Sequence, residues 1–123
     1  MLTLRPRTDV QAEYERAVAK LNAGPSSALN PRLQRHEIMV LTACRDSLAW
    51  VAGHTRQAPW SGRHLPNPTE HDLFSEWSQA ETVDHNTALM RDDESRFWYG
   101  SAVAHALAWA RGADTNEPAG PHY

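Results

Sequence analysis

Seven histidines, a scatter of carboxylates and one cysteine are the side chains of this sequence that could do chemistry, and their spacing limits which chemistry. His71-Asp72 sets an imidazole beside a carboxylate; His36 or His64, with Asp92 or Asp93, would complete a ligand set for a divalent ion. Glu81 and Asp84, three apart, share a helix face, as do Glu81 and His85 at i,i+4, and Asp92-Asp93-Glu94 adds negative charge. His54, His64 and His71 are near one another in sequence. Yet no HExxH, CxxC or paired-histidine helix motif is present, so the spacing that zinc requires is missing and no metal or other cofactor is expected. Cys44 ends the uncharged run from Ile38, away from any helix N-terminus that would lower its pKa, and reads as a core thiol. His105, in another apolar run, reads as a core histidine satisfied by a local partner.

Two enzyme comparisons follow from these patterns. His71-Asp72 resembles the pair used by metal-dependent HD phosphohydrolases, but the likeness stops at the dipeptide. Asp72 falls in the first turns of a helix, where the dipole favours a carboxylate. Glu81 with Asp84 is similar to one half of the magnesium site in all-α nucleotide pyrophosphohydrolases. Their second cluster has only Glu13 and Glu15 as a poor substitute here, and Asp92–Glu94 fits a helix start. A small all-α metal-dependent nucleotide phosphohydrolase, using His71, Asp72, Glu81 and Asp84, is therefore an alternative reading, and no catalytic residue is assigned.

The stretch GHTRQAPWSGRHLPN, residues 53–67, carries more weight. Connections longer than about 12–15 residues are uncommon in compact domains unless they are functional or disordered. This one holds Arg56, Trp60, Arg63 and His64 and no acidic residue, in a chain of net charge −3. Arginine forks beside an aromatic ring suit a carboxylate, a phosphate or a base. Arg and Trp are also the residues that dominate protein interfaces. Arg56, Trp60, Arg63 and His64 are thus the expected partner-binding residues. The competing expectation is that Trp60 folds back as an apolar anchor while the arginines pair with surface carboxylates.

The elements that must position these residues are helices. Thr8 with Gln11 fits a capping box, and Val10, Tyr14, Ala17, Val18 and Leu21 follow at helical spacing until Gly24-Pro25, predicting a helix over 9–22. Asn30-Pro31 opens a second helix, 31–52, which Gly53 closes. Asn67-Pro68, with Glu70 behind it, opens a third over 68–82, and a fourth spans 92–111, ending at Gly112. The stretch 83–91 is ambiguous. No alternating strand pattern is present. The chain reads as all-α, one helical domain over 1–112, with a polar tail over 113–123 expected to be loosely ordered.

A repeat cuts across these elements. LAWVAG at Leu48–Gly53 returns as LAWARG at Leu107–Gly112, and a proline follows each at the same distance, Pro59 and Pro118. Shifting the chain by 59 residues lays the second helix on the fourth, while the first and third helices share little beyond their caps. This predicts a four-helix bundle of two helical hairpins with approximate internal symmetry; chance recurrence of helix punctuation is the alternative. Phe97 to Ala110 carries no ionisable group except Tyr99 and His105, so this helix is buried on several sides. Gly100, Ser101, Ala104 and Ala108 form a small-residue stripe on it. A face left over would suit a second copy, and a homodimer is expected.

At 123 residues the chain is one domain, and its 41% hydrophobic and 22% charged residues are ordinary for a folded protein. A net charge of −3 argues against general nucleic-acid coating; binding through the basic 53–67 loop remains only an alternative. A helix-turn-helix is disfavoured by the long connection before Arg32, Arg35 and His36. No signal peptide or membrane span is read, a single cysteine needs no oxidising compartment, and a cytoplasmic protein is expected. Eleven arginines against one lysine point to GC-rich coding DNA. The LAWVAG…AP.SG segment and the terminal ALAWARG resemble small helical proteins of actinobacteria and their phages, whose function is generally unassigned. That resemblance implies a phage- or mobile-element-encoded regulator or inhibitor of a host protein. The reading as a whole is a non-enzymatic protein–protein interaction module.

Overall fold

The computed structural model describes residues 4–25, 30–84, 91 and 93–119. Within them the chain is all-helical: α1 (Arg7–Ala23), α2 (Pro31–Ala52), α3 (Glu70–Asp84) and α4 (Glu94–Ala110). No β-strand is formed among the described residues, only an isolated antiparallel bridge between Gln57 and His64. α1 packs on α2, α3 on α4, and α2 on α4. No helix among them is long and apolar enough to cross a membrane.

Capping chemistry sets the boundaries. Asn30 accepts the Leu33 amide at 2.9 Å, Pro31 occupies the first turn, and Gly53 closes α2 at φ 87°, as the sequence predicts. α1 begins at Arg7, with Pro6 in the N-cap position and no side-chain cap. The expected Thr8–Gln11 box does not form, because Gln11 instead bonds Glu15 at 3.2 Å and His54 at 2.5 Å. α3 starts two residues later than predicted. Thr69 and Asp72 make the reciprocal box, Thr69 N donating to Asp72 Oδ2 (2.9 Å) and Asp72 N to Thr69 Oγ1 (3.2 Å). Asn67 is held at φ 53° and caps nothing, which corrects its assignment as a helix opener. Asp93 caps α4 through the Arg96 amide at 3.1 Å. Val83 and Asp84 end α3, whereas residues 85–90 and Asp92 lie outside the described residues, as do residues 120–123 and the Asp84 side chain, so the rest of the ambiguous 83–91 stretch up to 90 and the Asp84 and Asp92 assignments are not placed.

The core gathers around α4. Val103, Ala106 and Leu107 are fully buried and Ala102, Ala104, Trp109 and Ala110 nearly so, which follows from the uncharged run that encodes them. Gly100 is required by close packing: a Cβ there would lie 3.0 Å from the Trp60 ring and 3.1 Å from Val83. α1 and α3 bury matching sets, Val10, Glu13 and Ala17 against Leu73, Glu76 and Ala80, at an offset of 63 residues rather than 59.

The segment after α4 is not loose where it is described. Ala119 is fully buried, its amide donates to Glu13 Oε2 at 2.7 Å, and its carbonyl accepts from Lys20. Glu117 pairs with Arg16, and the Pro118 carbonyl accepts the Cys44 thiol at 3.4 Å. Burial pushes that thiol up to about 12, confirming Cys44 as a core residue. Polar composition suggests a frayed tail, but a buried carboxylate more than a hundred residues away fastens it.

Candidate functional site: a groove beside the C-terminal segment and a braced loop

The 53–67 connection is a folded loop. Ala58 N donates to the Arg63 carbonyl (2.9 Å), Leu65 N to the Arg56 carbonyl (2.7 Å), and the Trp50 indole to the Leu65 carbonyl (2.9 Å). A further brace is Glu76, a fully buried carboxylate on α3 whose Oε1 accepts the amides of Trp60 (3.0 Å) and Ser61 (2.9 Å). Its Oε2 has no hydrogen-bond partner and lies 3.7 Å from Arg63 Nη2. Trp60 is half-buried, its ring over Gly100 with the Arg96 guanidinium 4.5 Å from its centroid. Of the four expected binding residues, Arg56, Arg63 and His64 are exposed and near one another in the loop, whereas Trp60 is turned inward as packing. A polar cleft of about 460 Å³ lies beneath, between Asp46, Gln57, Ser61 and Tyr99. The Tyr99 hydroxyl donates to Asp46 Oδ2 at 2.8 Å and lies 3.3 Å from the Pro59 carbonyl. Burial, reinforced by Asp46, pushes its phenol above the ordinary range.

A second opening, of about 440 Å³, is bounded by α1, α2, α4 and the docked 118–119 segment. Its apolar surface comes from Leu33, Val40, Leu41, Trp98, Ala102 and Pro118. Lys20, His36, Glu37, Ser101 and His105 supply polar groups. The volume and the mostly apolar lining with a few polar groups suit a ligand or peptide site. Trp98 is fixed in place: its indole donates to Glu94 at 3.1 Å, and His36 packs on its ring with centroids 4.1 Å apart. The Trp98 bond, helped by Arg32 at 2.5 Å, holds Glu94 below the usual carboxylate range. Burial, then the charge of Arg32, lowers the pKa of His36, so the ring against Trp98 is neutral near pH 7. His105 Nε2 is 3.0 Å from the Asn116 carbonyl and 3.4 Å from Asp114, the local partners expected for it.

Of the enzyme candidates, the Asp84 side chain, His85 and Asp92 lie outside the described residues. Asp72 is occupied in capping α3 and His71 is exposed. Among the described residues no three His, Cys, Asp or Glu side chains are grouped to hold an ion. Sequence reasoning missed the groove because its walls come from four separate segments. It also missed the clamping roles of Glu13 and Glu76, since bonds to distant main-chain amides leave no motif. Comparison with known proteins finds no match to a protein-family model, a curated protein or a solved structure.

Proposed function

We propose that this protein is a non-enzymatic interaction module that binds a segment of a partner protein in the groove between α2, α4 and residues 118–119. The observation that carries this reading is the groove itself, a preformed, largely apolar opening of about 440 Å³ walled by a fixed tryptophan. Burial of apolar surface is what drives association, and a wall already ordered costs little to organise on binding. Arg56, Arg63 and His64 on the braced loop add a basic contact surface elsewhere on the same chain.

The architecture we propose is a four-helix bundle of two hairpins, α1–α2 and α3–α4, related by approximate two-fold symmetry. The packing pairs, the two left-handed glycines that follow the LAW repeats (Gly53 at φ 87°, Gly112 at φ 80°) and the buried Glu13 and Glu76 support it. The homodimer expected from the apolarity of α4 needs another surface, since those side chains are buried within one chain. Exposed Leu33 and Ile38 on α2 are available for it, and sedimentation of a Leu33→Lys, Ile38→Lys variant tests that contact. A cytoplasmic regulator or inhibitor of a host protein, encoded by a phage or mobile element, is the setting we propose, supported by the arginine-rich composition.

The test is capture from extract of the source cells with wild type, Ser101→Trp and Arg56→Ala/Arg63→Ala. Ser101 lines the groove, so a tryptophan there obstructs it. Loss of the captured protein with Ser101→Trp at unchanged melting temperature is the expected result. Full retention by Ser101→Trp, with loss in the loop variant, would move the site to the loop. Manganese- or magnesium-dependent phosphate release from a nucleotide panel would support the phosphohydrolase alternative instead, and salt-sensitive retention of DNA or RNA the nucleic-acid alternative.

A further inference from the structure

Arg111 is the C-cap residue of α4 and, at 8% exposure, the one buried cation among the described residues. Its guanidinium lies over two aromatic rings of α3, 4.9 Å from the centroid of Phe74 and 5.2 Å from that of Trp77. Four other arginines have oxygen partners. Arg5 donates to the Trp109 and Asp114 carbonyls, Arg16 pairs with Glu13 and Glu117, Arg32 with Glu94 and Arg45 with Asp46. The Arg111 guanidinium has none among the described residues. Its Nε is buried without a hydrogen-bond partner, and no carboxylate pairs with its terminal nitrogens. Among the residues not described, the acidic side chains are Asp84 and Asp92, which stand in sequence at the other ends of α3 and α4. A 17-residue helix, about 25 Å long, separates the start of α4 from Arg111.

The helix dipole favours a cation at this end of α4, and the ring faces attract it. Neither gives its N–H groups an acceptor, whereas buried donors are as a rule bonded and buried charges paired. We infer that Arg111 is a recognition site for a carboxylate, the Asp or Glu side chain of a partner protein, received at its two terminal nitrogens. The site shares no residue with the groove and does not depend on that reading. Three features specify the occupant. The planar guanidinium fork matches a carboxylate in two parallel hydrogen bonds, and the rings already hold it in place, so little order is lost on binding. A single cation balances a single negative charge: Arg5, which reaches the same end of α4, directs its guanidinium to main-chain carbonyls, so a doubly charged phosphate would be under-compensated. Phe74, 46% exposed beside the fork, offers apolar contact to the residues flanking the acid.

The experiment follows the Arg111 Nε–H and Trp77 indole signals of isotope-labelled full-length protein by NMR, during titration with Ac-Leu-Glu-Leu-NH2, Ac-Leu-Gln-Leu-NH2 and inorganic phosphate. The expected result is saturable movement of both signals with the glutamate peptide, at an affinity about tenfold above the glutamine peptide. The Arg5 Nε–H signal, held by the Trp109 carbonyl, should stay in place. Arg111→Met keeps an apolar stem on the rings and is expected to abolish the Trp77 response. Arg111→Lys keeps the charge without the fork and should weaken binding about fivefold. Should Arg111→Met fail to fold, the wild-type titrations and Arg111→Lys still decide. Equal binding of the two peptides would overturn the carboxylate assignment, as would tighter binding of phosphate, which would make the occupant a phosphate group. No movement with any probe, or an undiminished response in Arg111→Met, would overturn the site itself. The groove reading stands or falls separately, on Ser101→Trp.

Discussion

Glu76 and Glu13 do similar work on α3 and α1, each a buried carboxylate accepting main-chain N–H from the segment that follows α2 or α4. Glu76 takes two adjacent amides on one oxygen and leaves the other without a hydrogen bond. Glu13 divides its oxygens, one to the Ala119 amide and one to Arg16 at 2.8 Å. Beside the first clamp the Trp60 ring covers Gly100; beside the second, among the described residues, lies the groove. The shared clamp is structural, and the two segments differ in what lies beside them: one lays an indole on Gly100, and the other borders the groove.

That comparison can be broken or sharpened by mutation. The largest effect is expected for Glu76→Ala, which strands two partly buried amides and opens a cavity; it should cost about 3 kcal/mol in urea unfolding. A loss below about 1 kcal/mol would mean that the loop holds itself. Trp60→Ala comes next, at about 2 kcal/mol since the ring is half-buried, and it should create on the α3 side an opening like the groove. Glu13→Ala should cost about 1–2 kcal/mol, and its more telling readout is Cys44. With the Pro118 carbonyl released, the rate of Cys44 modification by a thiol reagent should rise about tenfold or more; an unchanged rate would show that the segment stays docked without the carboxylate.

A smaller effect depends on pH. The folded pKa of His36 is lowered, so the unfolded chain binds its proton more readily. The contribution is therefore fully present above the unfolded value of about 6.5 and is lost as pH falls through it toward the folded value. His36→Phe should flatten that part of the stability–pH curve, measured between pH 7.5 and 5 at constant salt. An unchanged curve would dissociate His36 from it. The smallest effect is Arg56→Ala, an exposed loop residue, expected within about 0.5 kcal/mol of wild type.

How much of this could be read in the sequence varied with distance along the chain. Asn30-Pro31 and Gly53 delimit α2 to the residue because capping is local chemistry. Near α3 two local signals overlap, Asn67-Pro68 and Thr69 with Asp72, and only the three-dimensional path, which takes Asn67 to φ 53°, selects between them. The matching glutamates escaped because α1 and α3 correspond at an offset of 63 whereas the repeats on α2 and α4 correspond at 59. A single shift hides one pair while aligning the other. Trp60 shows the limit of reading function from residue type: beside arginines it suited either an exposed contact or an apolar anchor, and its close approach to Gly100 selects the anchor.

The measurement that tests the central claim most directly is site-specific photo-crosslinking, with p-benzoylphenylalanine placed at Ser101 in the groove and, separately, at Arg56 on the loop. The account predicts a discrete partner adduct from position 101. An adduct from position 56 with none from position 101 would contradict it, and would place recognition on the loop that Glu76 holds.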